Sequence, residues 1–232
     1  MSVDIIDLEA FYASHLGRRV ADEISQILKS QDMPQGLVSF GLGFTRPFLG
    51  EHIPTLMPAQ QGTMVSSAQS VLIDEQLLPF RDNQLEHVVA CHFLEHCADP
   101  LSALQEVYRV MVPEGRLQLI VANRRGIWSR RDRTPFGMGR PYSRGQIRRI
   151  TQQVGFVPLR WENALHFLPS GSKVARYCAP MFDQLGRRLW PELAGLNIVT
   201  CVKRVPAPHR QPRQYVRFAR PLIRPAVSRV KV

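Results

Sequence analysis

The chain has 232 residues, 44% of them hydrophobic and 21% charged, values near the globular averages that exclude wholesale disorder and low-complexity architecture. Its length allows one domain with an appendage and a core of substantial size. Net charge is +11, but nine basic and no acidic residues lie from Lys203 onward, so the preceding chain is nearly neutral and the excess belongs to its end.

In chain order, Ile5, Leu8, Phe11, Tyr12, Leu16, Val20, Ile24, Ile27 and Leu28 recur at helical spacing, which predicts an amphipathic helix that can break at Gly17. Leu37–Phe40 reads as a buried strand entering a glycine turn, Gly41-Leu42-Gly43. Further short β-like runs follow at Thr55–Met57, Val71–Ile73, Glu86–Phe93, Arg116–Ala122, Phe156–Trp161 and Asn197–Val202. Between them, Asp99-Pro100 is an N-cap with Pro at the first helical turn. Ser143 opens a second helix that ends at Gly155. The segment from Phe167 to Trp190 is mostly helical in period and is expected to pack as a lid or against the N-terminal helix. Alternation of strand and helix implies an α/β fold with a mainly parallel sheet. After Val205, prolines 206, 208, 212, 221 and 225 interrupt every candidate element. The expected division is a helical element at 1–30, a domain at 31–205 and a basic, proline-interrupted tail at 206–232.

No apolar run approaches the ~20 residues needed to cross a bilayer. The opening Met1-Ser2-Val3-Asp4 carries no basic stretch ahead of an apolar one, so the chain reads as cytoplasmic, with no transmembrane segment. Cysteines 91, 97, 178 and 201 form no CxxC pair and read as reduced thiols, with Cys91 and Cys97 in the core.

The residues after each strand form a series: Ser39-Phe40-Gly41-Leu42-Gly43-Phe44-Thr45, then Asp74-Glu75-Gln76-Leu77-Leu78-Pro79-Phe80, then His92-Phe93-Leu94-Glu95-His96, Asp99-Pro100 and Pro113-Glu114-Gly115-Arg116-Leu117. Over roughly residues 35 to 165 this order resembles the class I S-adenosylmethionine-dependent methyltransferases, in particular their type 11 group. The resemblance implies a Rossmann-like, mainly parallel seven-stranded sheet flanked by helices, with S-adenosyl-L-methionine as cofactor. It also implies site roles. Gly41 and Gly43 let the backbone approach the methionine part of the cofactor. Asp74 accepts from the adenine amino group, with Glu75 and Gln76 lining the same pocket, and His92 faces the reactive end. Where the group has an acid in its first motif, Ser39 stands, and Thr45 takes the place of its third glycine. Its ribose-binding acid is replaced by Gln60 or Gln61 after Pro58, a neutral amide holding a hydroxyl less strongly than a carboxylate. Direct methyl transfer asks mainly for in-line positioning of the acceptor, and His92, Asn123 and Tyr142 are the candidates to meet it.

His92, Glu95 and His96 also resemble the E-x-x-E-H of metal-dependent ubiquinone-pathway O-methyltransferases, with His92 for the first Glu. L-E-H without a metal is widespread in the type 11 group, and no metal site is assigned. Between Arg124 and Arg149 stand nine arginines and one acid, Asp132, interleaved with Trp128, Phe136 and Tyr142. Such a mixture can grip a phosphate, a carboxylate or a nucleic-acid backbone with bases stacked on the rings. The functional reading is methyl transfer to an acceptor, most simply a small molecule, with the tail as a contact for polyanions such as nucleic acid or an anionic membrane surface. The alternatives are a non-catalytic scaffold that keeps the fold and a nucleic-acid-associated methyltransferase.

Overall fold

A computed structural model describes residues 5–31, 39–50, 53–58, 70–130, 134–169, 186, 188 and 190–205. The 206–232 tail, Cys178, Gln60, Gln61, Asp132 and most of the expected 167–190 helical segment lie outside the described residues.

Seven strands form one sheet in the order β3-β2-β1-β4-β5-β7-β6. They are β1 (Ser39–Gly43), β2 (Thr55–Pro58), β3 (Ser70–Ile73), β4 (Leu85–Cys91), β5 (Met111–Ala122), β6 (Phe156–Ala164) and β7 (Leu196–Lys203). The first five run parallel, and β7 is antiparallel to both of its neighbours, β5 and β6. This is the seven-stranded, mainly parallel α/β architecture expected from the sequence.

Helices cover both faces. The face bearing Val89, Cys91, Ile120, Ala122 and Ile198 is covered by α1 (Ile5–Ala13) and α2 (His15–Lys29), through Leu8, Tyr12, Val20, Ile24 and Leu28. The opposite face, with Val88, Ala90, Leu117, Leu119 and Val199, is covered by α4 (Pro100–Val110) and α5 (Arg144–Val154). Alternate residues of one strand thus serve two cores, as the period-2 geometry of a strand buried on both sides demands. Among the described residues between β1 and β2 stands one turn of helix, α3 (Arg46–Leu49).

The local signals resolve as follows. Asp99 caps α4, accepting from the backbone of Leu101 and Ser102. Ser143 and Gln146 form a capping box on α5, which ends at Gly155 in the left-handed region with φ 111°. The N-terminal helix breaks at Ser14 rather than Gly17, because the Ser14 hydroxyl accepts from the Gly17 amide and starts a new helix. The 41–43 glycines lie within β1 instead of in a turn after it. Lys203, which by composition belongs with the terminal basic run, is 5% exposed. Its ammonium donates to the carbonyls of Tyr108 and Met111 and to Asn83 Oδ1 at 2.7–2.8 Å, tying the end of β7 to α4 and β5.

Candidate functional site

In a sheet of this order the connections leave in opposite directions from β1 and β4, and a crevice opens where their carboxyl ends meet. Gly43, Pro58, Asp74 and His92 stand at or just beyond the carboxyl ends of β1, β2, β3 and β4. Gly43 has φ +76°, and a Cβ there would lie 2.3 Å from the Cys91 carbonyl oxygen. The next amide, Phe44, donates to that same oxygen at 2.9 Å. At Gly41 a Cβ would lie 2.0 Å from Thr45 Oγ1 and 2.9 Å from Thr55 Oγ1. Both glycines therefore make room first for the protein's own atoms, which lets β1 close against β2 and β4. Ser39 opens β1 opposite His87; its side chain lies outside the described residues.

Asp74 is exposed, and its Oδ1 accepts from the Gln76 amide at 2.9 Å while its carbonyl accepts from Leu77. That is a side-chain-closed turn, and among the described residues Oδ2 has no partner. Gln76 is also exposed, whereas Glu75 is 2% exposed and accepts from the Ala98 amide, tying this loop to the one after β4. The following Leu78-Pro79-Phe80 is clamped to α4: Glu106 accepts from the Leu78 amide, and Arg109 donates to the Leu78 and Phe80 carbonyls.

His92 carries the backbone strain of the edge, with φ +52° in a non-glycine residue. It is 1% exposed, its Nε2 lies 2.9 Å from the Tyr12 hydroxyl, and its ring lies 4.7 Å from that of Phe136. Tyr12 in turn stacks on Phe44 at 5.5 Å and meets Phe48 edge-on at 5.8 Å. The N-terminal helix thus seats an aromatic ring between the ends of β1 and β4. Burial lowers the His92 pKa to about 3, so the imidazole is neutral at physiological pH, and burial raises the Tyr12 hydroxyl well above its ordinary range. Sequence reading placed Tyr12 only on an apolar helix stripe. The missed signal is its hydroxyl, which needs a polar partner once buried.

Glu95 is 4% exposed, and its Oε1 accepts from the Ala122 amide at 2.7 Å, bridging the loop after β4 to the end of β5. Oε2 has no partner among the described residues, and burial raises the carboxyl pKa to about 7. Burial lowers His96 to about 4, and its ring packs beside Gly139. His92 turns to Tyr12, Glu95 to Ala122 and His96 to Gly139. Among the described residues no three His, Cys, Asp or Glu side chains gather as metal ligands.

Asn123 directly follows β5, and its amide is committed to structure: Nδ2 donates to the carbonyls of Glu192 and Ala194, and Oδ1 accepts from Arg125 N. Tyr142 pairs with Asn123 through a parallel bridge and donates its hydroxyl to the Leu94 carbonyl at 3.3 Å, and burial pushes its pKa up to about 12. Two cavities flank the 141–143 segment. One, about 300 Å³, includes Asn123, Arg125, Ser143 and Asn197; the other, about 520 Å³, is lined by Arg124, Gly139, Arg140, Pro141, Tyr142 and Gln146. Trp128 and Phe136 face neither. They are 0% and 1% exposed in the core beside α1, with the Trp128 indole donating to the Phe167 carbonyl. The expected interleaving of arginines with stacking rings therefore fails at these two rings, because their apolar area is already buried.

This sheet order, with parallel β1–β5, antiparallel β7 and a crevice at the β1/β4 switch, is the fold of the class I S-adenosylmethionine-dependent methyltransferases. Residues 57–119 match the family profile described as Methyltransferase domain, that of the type 11 group, which bears out the resemblance read from the motifs. Among solved structures, a Thermotoga maritima S-adenosylmethionine-dependent methyltransferase, described as a possible histamine N-methyltransferase, aligns with TM-score 0.60 at 15% identity over 86% of this chain and 96% of its own. A Haloferax volcanii complex of the Trm112 methyltransferase activator and a putative methyltransferase gives TM-score 0.59 at 15% identity, covering 88% of this chain and 100% of that one. An Archaeoglobus fulgidus S-adenosylmethionine-dependent methyltransferase gives 0.56 at 18%, covering 85% and 98%. No curated protein matches the chain.

Proposed function

We propose that this protein transfers a methyl group from S-adenosyl-L-methionine to a small-molecule acceptor bound at the carboxyl edge of the sheet. The observation that carries the reading is Asp74: an exposed carboxylate at the end of β3, rigidified by its own turn, with Oδ2 uncommitted among the described residues. A carboxylate oxygen in that state suits the adenine amino group, so the residues present fit the cofactor at that end.

When bound, the cofactor supplies a methyl group already activated on a sulfonium. The remaining work falls to the chain. Ser39, Gly41 and Gly43 are assigned to the methionine part through the β1 backbone, Gln60 to the ribose, and Gln76 to the adenine pocket. Glu75 contributes by holding the Asp74 loop to Ala98. His92, neutral and tied to Tyr12, is assigned to the acceptor side as a positioning group. Tyr142 lines the adjoining cavity, and Asn123 fixes the β5 end from which that cavity is built. Residues 31–205 are the unit that does this, with 1–30 as its cover. Buried free thiols at Cys91, Cys97 and Cys201 suit a cytoplasmic setting, and no described helix is long and apolar enough to cross a membrane.

A second reading, a scaffold that has lost cofactor binding, is favoured by the Tyr12 ring at the β1/β4 switch and by the neutral residues at 39 and 60. Calorimetry with S-adenosylhomocysteine separates the two. The methyltransferase reading expects measurable heat and an Asp74→Ala variant weakened by about 1–3 kcal/mol, the cost of a lost bond to a charged acceptor. Absence of binding at millimolar ligand would leave the scaffold.

A further inference from the structure

The cavity of about 520 Å³ beside Tyr142 has a charge pattern that the fold does not account for. Two exposed arginines, Arg124 and Arg140, line it, and among the described residues no acidic side chain does. Three other arginines pair with carboxylates: Arg109 with Asp82 and Glu106, Arg125 with Glu192, and Arg160 with Glu162. Arg144, on the other side of the 141–143 segment, lies over the Trp161 ring at 4.6 Å. The guanidinium groups of Arg124 and Arg140 have no such partner among the described residues. What holds these two residues is their backbone, the Arg124 amide donating to the Tyr142 carbonyl and the Arg140 amide to the Glu95 carbonyl. Two like charges are thus fixed at their roots around one concavity, with their hydrogen-bond forks unspent among the described residues. Planar, multidentate donors of this kind match oxyanions.

The position is also specific. Arg124 follows the carboxyl end of β5, the strand next to β4, and the Tyr142 hydroxyl reaches the Leu94 carbonyl two residues beyond His92. The cavity therefore opens on the same edge as the β1/β4 crevice and one strand away from it. A volume of this size is that of a small-ligand pocket. A nucleic-acid track built here would need exposed rings for stacking, and Trp128 and Phe136 are in the core.

We propose that Arg124 and Arg140 form an oxyanion-binding site that anchors the acceptor, which is a small molecule bearing a phosphate or carboxylate group. The assignment of that ligand as the methyl acceptor rests on the methyltransferase reading; the oxyanion site itself does not.

The test is titration of the full-length protein with inorganic phosphate and, in a separate arm, with acetate, in chloride buffer at near-neutral pH. Amide chemical shifts and calorimetry give the readout. Saturable binding of at least one probe, with shifts at Arg124, Arg140 and Tyr142, is expected. Arg124→Gln and Arg140→Gln should each weaken it by about tenfold or more, as expected for a lost charge-assisted bond, while Arg148→Gln, exposed on α5 outside the lining, should leave it unchanged. Tighter binding of phosphate identifies the group as a phosphate, and tighter binding of acetate identifies a carboxylate. Neither probe binding saturably, equal weakening by Arg148→Gln, or binding of a single-stranded RNA oligomer through these arginines without either small probe would each overturn the proposal. S-adenosylhomocysteine binding measured on the same variants should be unchanged. Its absence in the wild type and the variants alike, with oxyanion binding by the wild type intact, would refute the methyltransferase reading and leave the site standing.

Discussion

Replacing Gly43 by alanine should destabilise the protein by about 2–5 kcal/mol, a large fraction of the ~5–15 kcal/mol that holds a domain together. Two costs combine. The residue sits at φ +76°, where an L side chain costs roughly 1–2 kcal/mol. The added methyl would also come within 2.3 Å of the Cys91 carbonyl, a backbone atom already accepting from Phe44, so β1 and β4 must separate, an overpacking cost of about 1–3 kcal/mol. Gly50→Ala is the control, since it shares the positive φ, at +82°, but has no atom within 4 Å of the new Cβ. It should cost only the conformational part. Urea unfolding of both variants checks this, and equal losses would mean that the close approach of β1 and β4 is not what the glycine serves.

Glu95→Gln should become more stabilising relative to the wild type as pH rises from about 4.5 to about 7, by a total of about 3 kcal/mol. The folded protein raises this carboxyl to about 7 from an ordinary 4.5, chiefly by burial. Between those values the folded state holds a proton that the unfolded chain has released, so the group's contribution is fully present at low pH and lost as pH rises through 7. Glutamine keeps the acceptor for the Ala122 amide and carries no charge to desolvate. His92 and His96 act in the opposite sense. Held neutral in the fold, with pKa values near 3 and 4, they are protonated only on unfolding, so acid below 6.5 favours the unfolded chain. The two histidines make both proteins less stable toward pH 4.5. The difference between variant and wild type, from urea unfolding across pH, isolates Glu95, and a difference that stays flat would show that its carboxyl is solvated.

The parts of this molecule that were legible in its sequence are those specified locally. The Asp99-Pro100 start of α4, the Ser143 start of α5 and its Gly155 stop each need only a few neighbouring residues. Alternation of strand and helix marked the α/β class, and the series from Asp74 to Leu117 implied the seven-stranded form through its resemblance to the type 11 methyltransferases. Tertiary contacts were not legible. Tyr12 and His92 meet across 80 residues of chain, and no periodicity in either segment announces the other. Trp128 and Phe136 looked available among arginines because charge dominates the segment, yet burying their area beside α1 outweighs the pull of their neighbours toward solvent. Gly41 read as a turn residue because glycine permits one, while the hydroxyls that exclude a side chain there, from Thr45 at the end of the motif and Thr55 on β2, meet it only in the folded sheet. That Arg124 and Arg140 have no carboxylate partner among the described residues follows only from where the acids of other elements end up.

Amide chemical-shift mapping with S-adenosylhomocysteine tests cofactor binding at the β1/β4 crevice directly, since it reports both whether and where the ligand binds. Saturable shifts are expected at Gly41–Phe44, at Asp74–Gln76 and at His92, together with Tyr12, whose ring stands against Phe44 and His92. A spectrum unchanged at millimolar ligand, or shifts confined to other parts of the molecule, would contradict it.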